Sequence, residues 1–280
     1  MMETAVIDVG GGLRGIYAAG VLDRCMEDKV RFGAGVGVSA GSANVAAYMA
    51  GQKGRNYHFY AEYSLRKEYM SGRNFIKKGS YIDMDYLYGS LSNSGGENPL
   101  GYEQIAASPM KLAVVATDAV TEKAKYFDKS DMAQDNYDIL KASCSIPFVC
   151  RPYVIEEVPY YDGALSDPVP IEKAFSLGCE KVVLILTRPG DFRRTPDRDK
   201  KIASLIKKKY PAAARSMELR AERYNAGLDL AEEYEQEGRL LIVAPDDTCG
   251  MDTLTRDREA MKRFYEKGVK DGARFAAFVK

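Results

Sequence analysis

Ser39 sits at the centre of Gly37-Val38-Ser39-Ala40-Gly41, a G-x-S-x-G run. Set between a strand and a helix, such a run turns sharply and lifts the serine hydroxyl above the sheet edge, while glycines on both flanks avoid side-chain clashes. The helix that follows aims its N-terminus at the reacting atom, which favours developing negative charge. A serine held this way can attack an acyl carbonyl. The same letters also arise as an ordinary turn or helix cap, so context matters: a short apolar run at 35–38 precedes the serine and a small-residue stretch at 42–50 follows it.

A second signature, Gly10-Gly11-Gly12-Leu13-Arg14-Gly15, follows the apolar run 5–9 and opens a helix-like segment at 16–29. Its glycines fit G-x-G-x-x-G, the dinucleotide-binding fingerprint, but that site also wants a carboxylate at the end of the second strand. Here that strand ends in Ser39. In a parallel sheet both glycine turns leave the carboxyl ends of neighbouring strands, where ligands bind. The amides of Gly10, Gly11 and Gly12 can then face an oxyanion formed by attack of Ser39. Arg14 either braces this loop, meets a charged head group, or is a plain surface arginine.

The hydroxyl needs a base. The chain has one histidine, His58, 19 residues past Ser39 in the aromatic stretch Asn56-Tyr57-His58-Phe59-Tyr60, where packing explains it well. A carboxylate can serve instead if it lies against the hydroxyl in a dry site, where its basicity rises. Tyr160-Tyr161-Asp162-Gly163-Ala164 offers Asp162 after a β-like run. An Asp-Gly pair is also a common plain turn, and the residues alone leave that choice open.

The elements that must position these groups alternate. Apolar runs at 111–117, 181–187 and 239–244 read as further strands. Long amphipathic stretches follow at 212–237 and 256–278. Strands alternating with helices predict an α/β fold, a mostly parallel central sheet with helices on both faces, in three layers. The polar stretch 189–200 is the best candidate junction, giving a catalytic domain at 1–190 and a mainly helical C-terminal extension at 191–280. The 280 residues hold 40 Lys and Arg against 40 Asp and Glu, so no net field draws the chain to nucleic acid. Five cysteines in no metal-binding spacing, no leader-like start and no long apolar run make a cytoplasmic setting the expectation. Residues 53–78 carry seven Lys and Arg against two Glu among tyrosines and phenylalanines, a surface suited to transient contact with an anionic membrane or to a solvated cap. Oligomeric state is not legible.

Residues 5–170 resemble the patatin-like phospholipase family. The glycine loop at 10–15, the serine elbow at 37–41 and the D-G-A motif at 162–164 occur in the family's order, and Ser143-Cys144-Ser145-Ile146-Pro147-Phe148 is similar to its usual lead-in. The resemblance implies a Ser39–Asp162 dyad with Ser39 as nucleophile and Asp162 as proton acceptor. It implies an oxyanion hole at Gly10–Gly12, with Arg14, Gly15, Gly37, Gly41 and Gly163 in support, and no metal or other cofactor. It further implies lipid acyl esters as substrates, in phospholipase A or lysophospholipase fashion. A general carboxylesterase, a silent lipid-binding protein and a nucleotide-binding enzyme are the alternatives.

Overall fold

A computed structural model describes residues 3–279. Eight strands form one sheet: β1 (Thr4–Asp8), β2 (Ala34–Val38), β3 (Lys111–Asp118), β4 (Ala124–Phe127), β5 (Tyr153–Ile155), β6 (Val158–Asp162), β7 (Lys181–Ile185) and β8 (Leu240–Val243). Their order is β5-β6-β3-β2-β1-β7-β8, with β4 paired to β3 off that path. The run β3-β2-β1-β7-β8 is parallel, as the alternation of elements predicts. Beyond β3 the pairing turns antiparallel, through β4, β6 and β5. The sheet is therefore mixed.

The central strands are predominantly apolar because both faces are covered, with their polar residues at the strand ends. Successive residues of β1 alternate between two cores, Val6 on one side and Ala5 and Ile7 on the other. The first core is closed by α1 (Gly15–Glu27) and α2 (Ala40–Met49), and by the helix Arg258–Asp271, which brings Met261 and Phe264 against Tyr17 of α1. The second is closed by the helices Ile171–Ser176 and Pro211–Gln236, the latter burying Tyr224 and Leu228. Each fully buried aliphatic side chain in these layers contributes about 1.5–3 kcal/mol.

Residues 191–279 add helices and also a strand, since β8 pairs with β7 from Val182↔Leu240 to Ile185↔Val243. The stretch expected as one segment at 256–278 is divided. Asp257 caps the helix Arg258–Asp271 by accepting from the Glu259 and Ala260 amides, and a tight turn at Gly272–Arg274 separates it from Phe275–Phe278. No helix among the described residues is long and apolar enough to cross a membrane.

Candidate active site

Parallel pairing of β1 with β2, Asp8 opposite Gly37, sends the loops that follow them off the same edge of the sheet. Ser39 heads α2 with φ 56° and ψ −134°, a left-handed conformation rare for a residue with a Cβ. Such strain costs roughly 1–3 kcal/mol and persists only where the surroundings impose it. Here the Ser39 amide donates to Ser143 Oγ at 2.9 Å, and its carbonyl accepts from the Ser42 amide at 2.9 Å and from Ser42 Oγ at 2.7 Å. Gly41 lies so close to the Asp8 backbone that a Cβ there would overlap it.

Asp162 closes β6 opposite Ala116 of β3. Its amide donates to the Ser145 carbonyl at 2.9 Å, and its carbonyl accepts from Thr117 Oγ1 at 2.8 Å. One carboxylate oxygen accepts from the Ala164 amide at 2.9 Å. The side chain is buried, and burial raises its pKa above the usual carboxylate range, opposed by the neighbouring Ser39 side chain, by the Ala164 amide and by the positive charges of Arg220 and Arg194. The structure thus brings Ser39 and Asp162 together.

The glycine loop stands over them with positive φ throughout: 67° at Gly10, 130° at Gly11 and 61° at Gly12. It is pinned from three sides. The Gly10 amide donates to Asp8 Oδ1 at 2.8 Å, its carbonyl accepts from Thr187 Oγ1 at 2.5 Å, and the Leu13 amide donates to the Thr253 carbonyl at 2.9 Å. The Gly11 and Gly12 amides donate to no acceptor among the described residues. Asp8 beneath the loop is pushed up to about 6 by burial, against the opposing hydrogen bonds from Asn44 and the Gly10 amide. Arg14 turns inward, donating to Asp252 Oδ1 at 2.7 Å and Thr253 Oγ1 at 3.1 Å, so it ties the 252–253 loop to the glycine loop. Burial and the neighbouring Arg188 lower its pKa to about 10.

Gly10, Gly11, Gly12, Ser39 and Asp162 line one cleft of about 230 Å³. A narrow apolar slot meets it at Ser39, walled by Phe59, Tyr60, Met84, Leu87 and Tyr88. Gly15, Gly37 and Gly163 back the site where added Cβ atoms would meet Tyr60, Ser42 and Val115. His58 lies apart: half exposed, its Nδ1 is 2.9 Å from Glu62 Oε1, and it lines neither cavity. Sequence reasoning missed Asp8, Thr187 and Thr253, and reached Ser143 only as the first residue of the lead-in to Asp162. Of the three missed residues Asp8 alone carried a signal, a carboxylate at a strand end two residues before a triple glycine.

The family model for patatin-like phospholipase matches residues 9–175, more than half of the chain. The chain belongs to the patatin-like phospholipase family. That family is one of lipid hydrolases, and the matched region contains both glycine signatures and Asp162. A second model, a domain of unknown function designated DUF6363, matches residues 210–280. YjjU of Escherichia coli K12, described as uncharacterized, is 30% identical over 207 residues, 69% of this chain and 54% of YjjU. The chain therefore spans about half the length of that curated relative. The patatin-like chain also shares its fold with VipD from Legionella pneumophila, at a TM-score of 0.50 and 13% identity over 99% of this chain and 67% of that one.

Proposed function

We propose that this chain is a serine acyl-ester hydrolase acting on lipid esters, of phospholipase A or lysophospholipase type, with Ser39 as nucleophile and Asp162 as base. The observation that carries the reading is that Ser39, held at a strained backbone angle, shares one cleft with the buried carboxyl of Asp162, beside amides of Gly11 and Gly12 that have no internal acceptor among the described residues. Attack forms the Ser39 Oγ–carbon bond while Asp162 takes the hydroxyl proton. The oxyanion is held by the loop amides, the ester C–O bond breaks, and the alcohol leaves with the proton from Asp162. Water then adds to the acyl carbon, giving one proton through Asp162 back to Ser39 Oγ, and the free acid departs. The apolar slot at Ser39 favours a lipid acyl chain over a small polar acyl group.

A fluorophosphonate probe, which phosphonylates activated serines, tests this directly. Wild type should label within minutes and Ser39→Ala should not label at all. Equal labelling of the two proteins would remove Ser39 from the reaction.

The same reading includes contact with a lipid surface. Phe75 and Ile76, on the helix Gly72–Lys78, are 45% and 85% exposed, and Phe148, at the wall of the catalytic cleft, is 56% exposed. The Phe75 and Phe148 rings lie 6.5 Å apart, with Arg73 and Lys77 on the same helix. Apolar tips ringed by cations suit an anionic interface, each inserted side chain adding about 1.5–3 kcal/mol. Flotation with phosphatidylglycerol-containing vesicles should fall at least tenfold in Phe75→Ser/Ile76→Ser. Equal flotation by both proteins would leave this surface without a membrane role.

A further inference from the structure

One end of the catalytic cleft is built from arginine. Arg14, Arg188, Arg194, Arg198 and Arg220 all line the cavity that holds Ser39 and Asp162. They arrive from separate parts of the chain: Arg188 just past the end of β7, Arg194 and Arg198 from the segment after it, and Arg220 from the helix Pro211–Gln236. Because β7 runs parallel to β1, its exit loop lies on the edge occupied by the glycine loop.

Two carboxylates, Asp199 and Asp252, stand within ion-pair distance of these five cations. Asp199, fully buried, is gripped through both oxygens by Arg220, and Arg194 reaches it only at 3.6 Å. Asp252 takes Arg14 at 2.7 Å, leaving Arg188 at 3.5 Å and Arg198 at 3.8 Å. The Arg188 and Arg194 guanidiniums are instead shelved on aromatic faces, 4.3 Å from the Phe192 centroid and 5.6 Å from that of Tyr224. Their buried Nε donors, like that of Arg14, find no acceptor among the described residues. Crowding has an electrostatic mark, since burial and then Arg220 lower the Arg194 pKa to about 10. Positive charge is concentrated here beyond what the protein's own acids neutralise, in a chain whose net charge is zero. Planar guanidiniums fixed by stacking are the chemistry that recognises phosphate oxygens.

The geometry points to a phosphate subsite formed by Arg188 and Arg194, which makes these two side chains the specificity determinants that favour esters with a phosphate on the alcohol over neutral glycerides. It rests on the hydrolase reading above. With the acyl chain in the apolar slot and its carbonyl at Ser39, the alcohol side of the ester extends into the cleft where these arginines stand. Asp162 would benefit from the same field, because Arg220 and Arg194 oppose the burial that raises its pKa. That second effect acts alike on every ester and separates cleanly from phosphate recognition.

The test compares 1-octanoylglycerol 3-phosphate with 1-octanoylglycerol, both kept monomeric, in wild type, Arg188→Gln, Arg194→Gln and the double variant. The readout is the ratio of kcat/KM for the two esters. Wild type should prefer the phosphate ester by tenfold or more, and the double variant should bring the ratio near one. Fluorophosphonate labelling of each variant confirms that its serine is still assembled. A wild-type ratio near one, or a preference that survives the double variant, overturns the subsite. Inorganic phosphate is titrated against the neutral ester alongside. Inhibition by it, without preference for the phosphate ester, would assign the arginines to free phosphate and overturn the substrate claim. Absence of turnover on both esters together with absence of labelling would strike at the hydrolase reading itself.

Discussion

Asp162→Asn should lower kcat by about 10²–10⁴-fold, the range for removing a positioned general base, while leaving the chain folded. The asparagine oxygen can still accept from the Ala164 amide that now bonds the carboxylate at 2.9 Å. A buried carboxyl that resists ionisation is replaced by a neutral group of the same shape, so thermal stability at neutral pH should hold or rise. The sign follows from proton binding: with its pKa raised, the native Asp162 holds a proton at pH values where the unfolded chain has lost it, and stability falls as pH rises through that window. Activity runs the other way. The base must be ionised, so the rate should climb with pH on a limb lying above the ordinary aspartate range, and Asp162→Asn should lose that limb. Ser39→Ala should match the loss, and the double variant should be no worse than either, because the two act as one unit. His58→Ala should turn over like wild type. Retention of more than a tenth of the rate by Asp162→Asn would mean that another group takes the proton.

What could be read from the residues and what could not divides along the range of the interactions. The glycine loop and the serine elbow are local: each is a strand end, a turn and a helix start within a few positions, and the strands that hold them are mainly apolar. Asp162 was ambiguous on local grounds, since an aspartate before glycine makes a turn whether or not a serine faces it, and here it does cap the turn Gly163–Leu165. The edge strands β4 and β5 were invisible, because Ala124–Phe127 and Tyr153–Ile155 are three or four residues long and only partly buried. The polar stretch 189–200 resembled a junction by composition. Arg194 and Arg198 reach the cleft only because β7 inserts beside β1, a pairing that no local pattern encodes. Thr187 and Thr253 meet the glycine loop across sequence separations of well over a hundred residues, and neither residue type announces such a role.

Gly11→Ala should cost far more activity than stability. At φ 130° and ψ 32°, Gly11 occupies backbone space that residues with a Cβ avoid. A Cβ built there would stand 2.5 Å from Thr187 Oγ1 and 3.1 Å from a guanidinium nitrogen of Arg14. Thr187 would have to release the Gly10 carbonyl, which it holds at 2.5 Å, or the loop would have to shift. Either movement displaces the Gly11 and Gly12 amides from the oxyanion. Strain of roughly 1–3 kcal/mol is small against a stability of about 5–15 kcal/mol, so the protein should fold and melt a few degrees lower. Loss of one aligned donor costs about 10²–10³ in kcat, with KM little changed because the donors act on charge that the ground-state ester lacks. Gly238→Ala supplies the control for strain alone, since Gly238 also has positive φ, 70°, and nothing lies within 4 Å of its would-be Cβ. It should lower the melting temperature comparably and leave kcat untouched. A Gly11→Ala enzyme that melts lower but hydrolyses esters at the wild-type rate would show that the loop amides do not hold the oxyanion.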